Sequence, residues 1–289
     1  MSLTISAAQV ASFIANPSSF TGYSSGSHVI ISGAITHTQA TALDAVSATY
    51  IQATVSETTI ANLSAISASN TTRSSLNKFS FVVSDTSATA AELTALQALT
   101  SVAVDASNIT SIESSSASDI TTLIALTTAP TGISADPVTV SDTTVSATAL
   151  NTIDTFFSST VTATAATTIT GPLADIETAM SSGGITDSAS VAVTVTDTSV
   201  AAASLNTVNG LTTGVVTCSN ATTLTGTVTT VQTAMTANNA GTIAGIGAAN
   251  VTLDDPDTTG TQSYAVADIH TLIDTAGFTG KVTATVTEA

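Results

Sequence analysis

The stretch from Val138 to Met180, VTVSDTTVSATALNTIDTFFSSTVTATAATTITGPLADIETAM, recurs almost column for column from Val193, as VTVTDTSVAAASLNTVNGLTTGVVTCSNATTLTGTVTTVQTAM. Asp142 aligns with Asp197, Leu150 with Leu205, Ile153 with Val208, Val161 with Val216, Ile169 with Leu224 and Met180 with Met235. A third copy starts at Phe81 and places Asp85, Leu93, Leu96, Val102 and Ile109 in those columns. Fainter copies surround Leu43 and Ile60 on one side, and Val251, Leu253, Ile269 and Leu272 on the other. The equivalent leucines, Leu43, Leu93, Leu150 and Leu205, are almost evenly spaced. A unit this short cannot bury its own apolar face and must stack on its neighbours. Residues 1–289 therefore read as a single tandem-repeat domain, with no second domain and no long linker.

Within a copy the period of the apolar residues alternates. Val138-Thr139-Val140-Ser141 has the two-residue period of a half-buried strand. From Ser146 to Asp154 the spacing becomes helical, with Ala147, Leu150 and Ile153 on one face and Ser146 as N-cap. Val161-Thr162-Ala163 then reads as a strand, Gly171-Pro172 as a turn, and Leu173 to Met180 as a second helix. Parallel strands joined by helices form right-handed crossovers. The expected fold is an α/β right-handed solenoid of strand-helix coils, leucine-rich-repeat-like, with a parallel sheet on one side and helices on the other. Its core should hold Val140, Leu150, Ile153, Val161, Ile169, Val195, Leu205, Val208, Val216 and Leu224. Thr139, Ser141, Thr160, Thr162, Thr194, Thr196, Thr217, Thr252, Thr283 and Thr285 would make one broad outward face of hydroxyls.

Composition agrees with narrow coils. Aromatic residues are 3% and Trp is absent, so small columns of Val, Ala, Leu and Ile must suffice, while 43% hydrophobic content argues against disorder. Three Lys+Arg against 20 Asp+Glu give a net charge of −17, which repels nucleic acid and acidic lipid surfaces. No segment has the roughly 18 consecutive apolar residues of a membrane span, so no membrane insertion is expected. Cys218 stands alone and cannot build an intramolecular disulfide framework.

Reactive chemistry is not signalled. His28, His37 and His270 lack metal-ligand spacing, and Cys218 occupies the column of Val104 and Ala163. Neither a nucleophile elbow nor a phosphate-binding glycine loop occurs, so the chain does not read as an enzyme. Asp85, Asp142, Asp197 and Asp254 recur at equivalent strand ends. They read either as Asx-turn caps before the helix or as a ladder of calcium ligands. The candidate calcium loop is Asp255-Pro256-Asp257-Thr258-Thr259-Gly260, with Asp255, Asp257 and Thr259 at alternate positions; Val266 stands where a twelfth-position Glu would be.

The phrase SDTTVSATALNTIDTFF, continued by TVTATAATTITG, resembles repeats of large secreted surface proteins of cyanobacteria and other marine bacteria, a group that includes adhesins, sheath-like layers and extracellular fibres. The resemblance covers most of the chain and is most specific from Val138 to Met235. It implies an extracellular or cell-surface, non-enzymatic, structural or adhesive role, here without a visible N-terminal signal. No GGxGxDxUx run is present, so this is not the calcium-binding nonapeptide type.

Both ends of the sequence read as strands of the repeat type, Leu3-Thr4-Ile5 at one and Val282-Thr283-Ala284-Thr285-Val286 at the other. Leu3 and Ile5 are then expected to pair with Val282, Ala284 and Val286 of a second copy, head to tail, which yields a filament because the contact does not close. The alternative is a surface adhesin, or a carbohydrate- or ice-binding module, that uses the hydroxyl face, which would also suit O-linked glycans. Val82, Ala103, Ala192 and Val215 interrupt that face and weigh against a regular ice-binding ladder.

Overall fold

The computed structural model describes residues 1–47, 49–67, 76–254, 266–274 and 278–283. The chain is a mixed α/β structure of alternating strands and helices with several parallel sheets. It divides into two compact units, Met1–Thr139 with Phe156–Ser159, and Val140–Thr155 with Thr160–Ala289.

In the first unit, β1 (Ser2–Ser6), β2 (His28–Ile35), β3 (Ile51–Val55) and β4 (Lys78–Ser80) form a parallel sheet in chain order. Helices α1 (Val10–Ala15), α2 (His37–Val46) and α3 (Ile60–Leu63) return the chain from each strand to the next. Then β5 (Ser87–Ala88), α4 (Ala90–Gln97), β6 (Ser111–Ser115) and α5 (Ala117–Ile124) follow, with β5 and β6 parallel. Isolated bridges join Val82 to Asp105 and Asp105 to Thr131. Strand β7 (Val138–Val140) leads into the second unit. Capping boxes start two of these helices: Thr36 and Gln39 exchange bonds at α2, and Thr89 and Glu92 at α4.

The second unit contains β8 (Thr144–Ser146), α6 (Ala147–Phe156), β9 (Val161–Thr162), β10 (Thr168–Gly171), α7 (Leu173–Ser181), β11 (Ile185–Thr186), β12 (Ala192–Val195), β13 (Ser199–Ala201) and α8 (Ala202–Leu211). It continues with β14 (Val216–Thr217), β15 (Thr223–Gly226), α9 (Val228–Ala240), β16 (Ile243–Ala244), β17 (Asn250–Leu253), α10 (Val266–Ile273) and β18 (Val282–Thr283). One parallel sheet runs β8-β10-β12-β14-β16 and another β13-β15-β17-β18, while β9 pairs with β11. Equivalent helices are tied alike: the Asn151 side-chain amide donates to the Asp175 carbonyl and that of Asn206 to the Thr230 carbonyl, each at 2.9 Å.

The helices Ser146–Asp154 and Leu173–Met180 read from the sequence correspond to α6 and α7, and all ten expected core residues are at most 1% exposed. Burying such a Val, Leu or Ile side chain is worth about 1.5–3 kcal/mol each.

The single sheet on one side is corrected. In the second unit short strands such as β8 and β10 stand immediately before the helices, so a step there holds two or more strands where one was read, and the strands of the chain fall into several sheets. The single hydroxyl face dissolves with it. Thr194 and Thr217 lie in the first of the second unit's sheets, Thr252 and Thr283 in the other, and Thr162 in the β9–β11 pair. Thr285 lies outside the described residues.

The spatial step also differs from the sequence repeat. Val145 pairs with Ile169, Ile169 with Val193, and Val193 with Val216. Two such steps carry Val145 to Val193, whereas the sequence repeat carries it to Val200. The difference, from Val193 to Val200, is one short strand with its turn. Strand β12 absorbs it. This strand pairs with β10, which runs into a helix, and with β14, which runs into another strand. As a result β8 and β13, equivalent in the sequence repeat, belong to different sheets.

Candidate functional site

The recurring acidic residues act across neighbouring steps. An Asp85 carboxylate oxygen accepts the N–H of Ile60, the first residue of α3, at 2.8 Å, and Asp197 accepts that of Leu173, the first residue of α7, at 2.6 Å. Glu57 takes the N–H of His37 at the start of α2 at 2.9 Å, and the Ser115 hydroxyl takes that of Ala90 at the start of α4 at 2.9 Å. Each acceptor follows its helix start by 20 to 25 residues. An acceptor here satisfies one of the orphan N–H groups, and a carboxylate also favours the positive end of the helix dipole.

Threonines extend the clamp. Thr110, Thr167 and Thr222 donate both N–H and hydroxyl to the carbonyls of Thr86, Thr143 and Thr198, each 24 residues earlier. The three acceptors directly follow Asp85, Asp142 and Asp197. The Asx-turn reading is thus half right: the carboxylate caps a helix, but the helix of the preceding step. Sequence inspection misses this because such partners are distant along the chain and become neighbours only after the steps stack. Asp142 is also engaged, whereas Asp254 is exposed.

Among the described residues no group of three or more His, Cys, Asp or Glu could hold a metal ion. Asp255, Asp257 and Thr259 lie outside the described residues. With Asp85 and Asp197 committed to backbone N–H groups, chelation of calcium is expected to leave the melting temperature unchanged within error. A fall of many degrees would reassign the aspartates as metal ligands.

Glu57 offers a pH-dependent probe of the clamp. Burial by itself raises its carboxyl, but hydrogen bonds from its own N–H, the His37 ring, the Ser56 hydroxyl and the His37 N–H outweigh burial and hold it below its ordinary 4.5. The His37 ring Nδ1 lies 3.0 Å from the carboxylate. A depressed folded value means that the contact stabilises above pH 4.5 and is lost as pH falls through the folded value. Glu57→Gln should therefore melt below the parent at pH 7, with the gap closing in acid. A gap independent of pH in paired melts would contradict the clamp.

Cys218 is fully buried, and burial, with the nearby Asp197 charge, pushes its thiol up to about 12. The thiolate is the reactive form, so native protein should not react with an aromatic disulfide reagent at pH 8, and unfolded protein should react at once. Rapid native labelling would contradict the burial. Of the histidines, His37 faces Glu57, His270 pairs with Asp274 at 2.8 Å on an exposed helix face, and the His28 ring stacks on Tyr50 at 3.9 Å.

The expected assembly residues divide. Leu3 pairs with Val29 and Ile5 with Ile31 in β1, Ile5 being 3% exposed; Val282 pairs with Val251 in β18. Ala284 and Val286 lie outside the described residues. Each of β1 and β18 has a single strand partner among the described residues, so one backbone edge of each is unpaired there.

A second feature gave no sequence signal. On the sheet of the first unit, Gln52, Thr54, Lys78 and Ser80 line a groove of about 340 Å³ with Val102 at its side. Gln52 is beside Lys78 and Thr54 beside Ser80 across β3 and β4, a pairing that appears only once register is known. No known protein family, no curated protein and no solved structure matches the chain.

Proposed function

We propose that this chain is an extracellular structural protein without enzymatic activity, a right-handed solenoid of strand-helix coils that polymerises head to tail. The observation that carries this reading is the pairing of parallel strands in chain order in three sheets, β1-β2-β3-β4, β8-β10-β12-β14-β16 and β13-β15-β17-β18, of which β1 and β18 are end strands with one strand partner each among the described residues. The handedness follows from parallel strands connected through helices, which cross over to the right in nearly all proteins. An unpaired edge of this type takes up a further parallel strand by backbone hydrogen bonds. A net charge of −17 limits lateral clumping while leaving the strand edges available. The polar side chains support a mechanical role, because the aspartates and threonines of the repeat bond to neighbouring steps.

Electron microscopy of purified protein at increasing concentration tests the proposal. Fibres with an axial repeat equal to one chain are expected; a monomer that persists at high concentration would overturn it. A surface adhesin is the second reading, and the groove on β3 and β4 favours it.

A further inference from the structure

That groove differs from the Thr-lined strands of the repeat in carrying a glutamine and a lysine. The side chains of Gln52, Thr54, Lys78 and Ser80 make no hydrogen bond within the described residues, so their donors and acceptors are open to a ligand. Cross-strand neighbours lie about 4.8 Å apart and alternate residues of one strand about 6.6 Å apart. The two pairs, Gln52 with Lys78 and Thr54 with Ser80, therefore form a four-cornered grid of donors and acceptors the size of one sugar ring with its hydroxyls. Val102, 37% exposed, supplies an apolar wall. At one end the Lys78 ammonium lies 4.7 Å from the centre of the Tyr50 ring, which is itself stacked on His28. Lys78 is the charged residue of the lining, in a chain with 20 acidic and three basic residues, and no acidic side chain lines the groove among the described residues.

We infer that this groove binds one acidic sugar unit of a polysaccharide. Lys78 meets the carboxylate or sulfate; Gln52, Thr54 and Ser80 bond the ring hydroxyls; Val102 covers the apolar C–H face. The volume is at the small end for ligand sites and suits a single ring with part of the next. This rests on the adhesin reading and is independent of self-assembly.

The test is calorimetric titration of the full chain at about 0.15 M salt, where the long-range repulsion of the −17 charge is screened, with three tetrasaccharides: an oligouronate, a sulfated galactan and a neutral glucan. At least one acidic tetramer should bind with a dissociation constant of about 1 mM or tighter, and which one binds identifies the anionic group. Lys78→Gln, which keeps most of the side-chain stem, should weaken binding by about tenfold, Gln52→Ala by about fivefold, and Thr233→Ala on α9 not at all. Circular dichroism verifies that each variant is folded. Failure of both acidic tetramers to bind, equal binding of the neutral one, or indifference to Lys78→Gln and Gln52→Ala would each overturn the inference. None of these outcomes bears on filament formation, which microscopy reads separately.

Discussion

Gly132→Ala is expected to destabilise the first unit by about 3 kcal/mol, a drop of roughly 10 °C in melting temperature. Gly132 has φ +94°, and an added Cβ would lie 2.6 Å from the Ser107 Cα and 2.8 Å from its N. Both are backbone atoms, next to the bridge between Asp105 and Thr131, so no side chain can swing aside. The left-handed conformation costs a residue with a Cβ about 1–2 kcal/mol, and overpacking adds about 1–3 kcal/mol. Gly22 separates the two costs. Its φ is +88° and nothing lies within 4 Å of its added Cβ, so Gly22→Ala should carry the conformational cost alone. Equal losses in denaturant melts of the two variants would mean that neighbouring steps do not approach as closely as described.

Leu205→Ala should cost the second unit about 3 kcal/mol, within the range of about 2–5 for emptying a buried leucine site. Leu205 is fully buried in α8, which packs against α7, α9, β13 and β15, so the cavity is walled on several sides. Leu211, in the same helix but 40% exposed, is the control, and its replacement by alanine should cost less than about 0.5 kcal/mol. Urea unfolding followed by circular dichroism measures both. Similar effects for the two would place Leu205 outside the core.

The buried columns were legible because they combine two strong signals: recurrence of the Val138 block at Val193, and helical spacing of Leu150 with Ile153 and of Leu205 with Val208. The short strand that precedes each of α6, α7, α8 and α9 in the second unit was not. Thr144-Val145-Ser146 and Thr168-Ile169-Thr170-Gly171 each contain one large apolar residue, and a two-residue period cannot be counted from one. What makes them strands is their pairing with each other across an intervening helix and strand. The same non-locality hid the helix clamp of Asp197 on Leu173. It also hid the grid of Gln52, Thr54, Lys78 and Ser80, whose members come from two strands with the whole segment from Val55 to Asn77 between them.

The mismatch between the spatial step and the sequence repeat limits how such a chain can grow by gene duplication. Copying the segment from Val145 to Thr168 would insert one whole step and leave each later strand in its own sheet. Copying the full block from Val138 to Ala192 would instead advance the chain by two steps and one extra strand, as happens between β8 and β13. A patch carried by the block would then reappear on another sheet, so repeat number cannot raise avidity toward a ligand lying along one face. Selection for multivalent attachment would have to act on copies of the single step, whereas amplification of the larger block distributes its surfaces among the molecule's sheets.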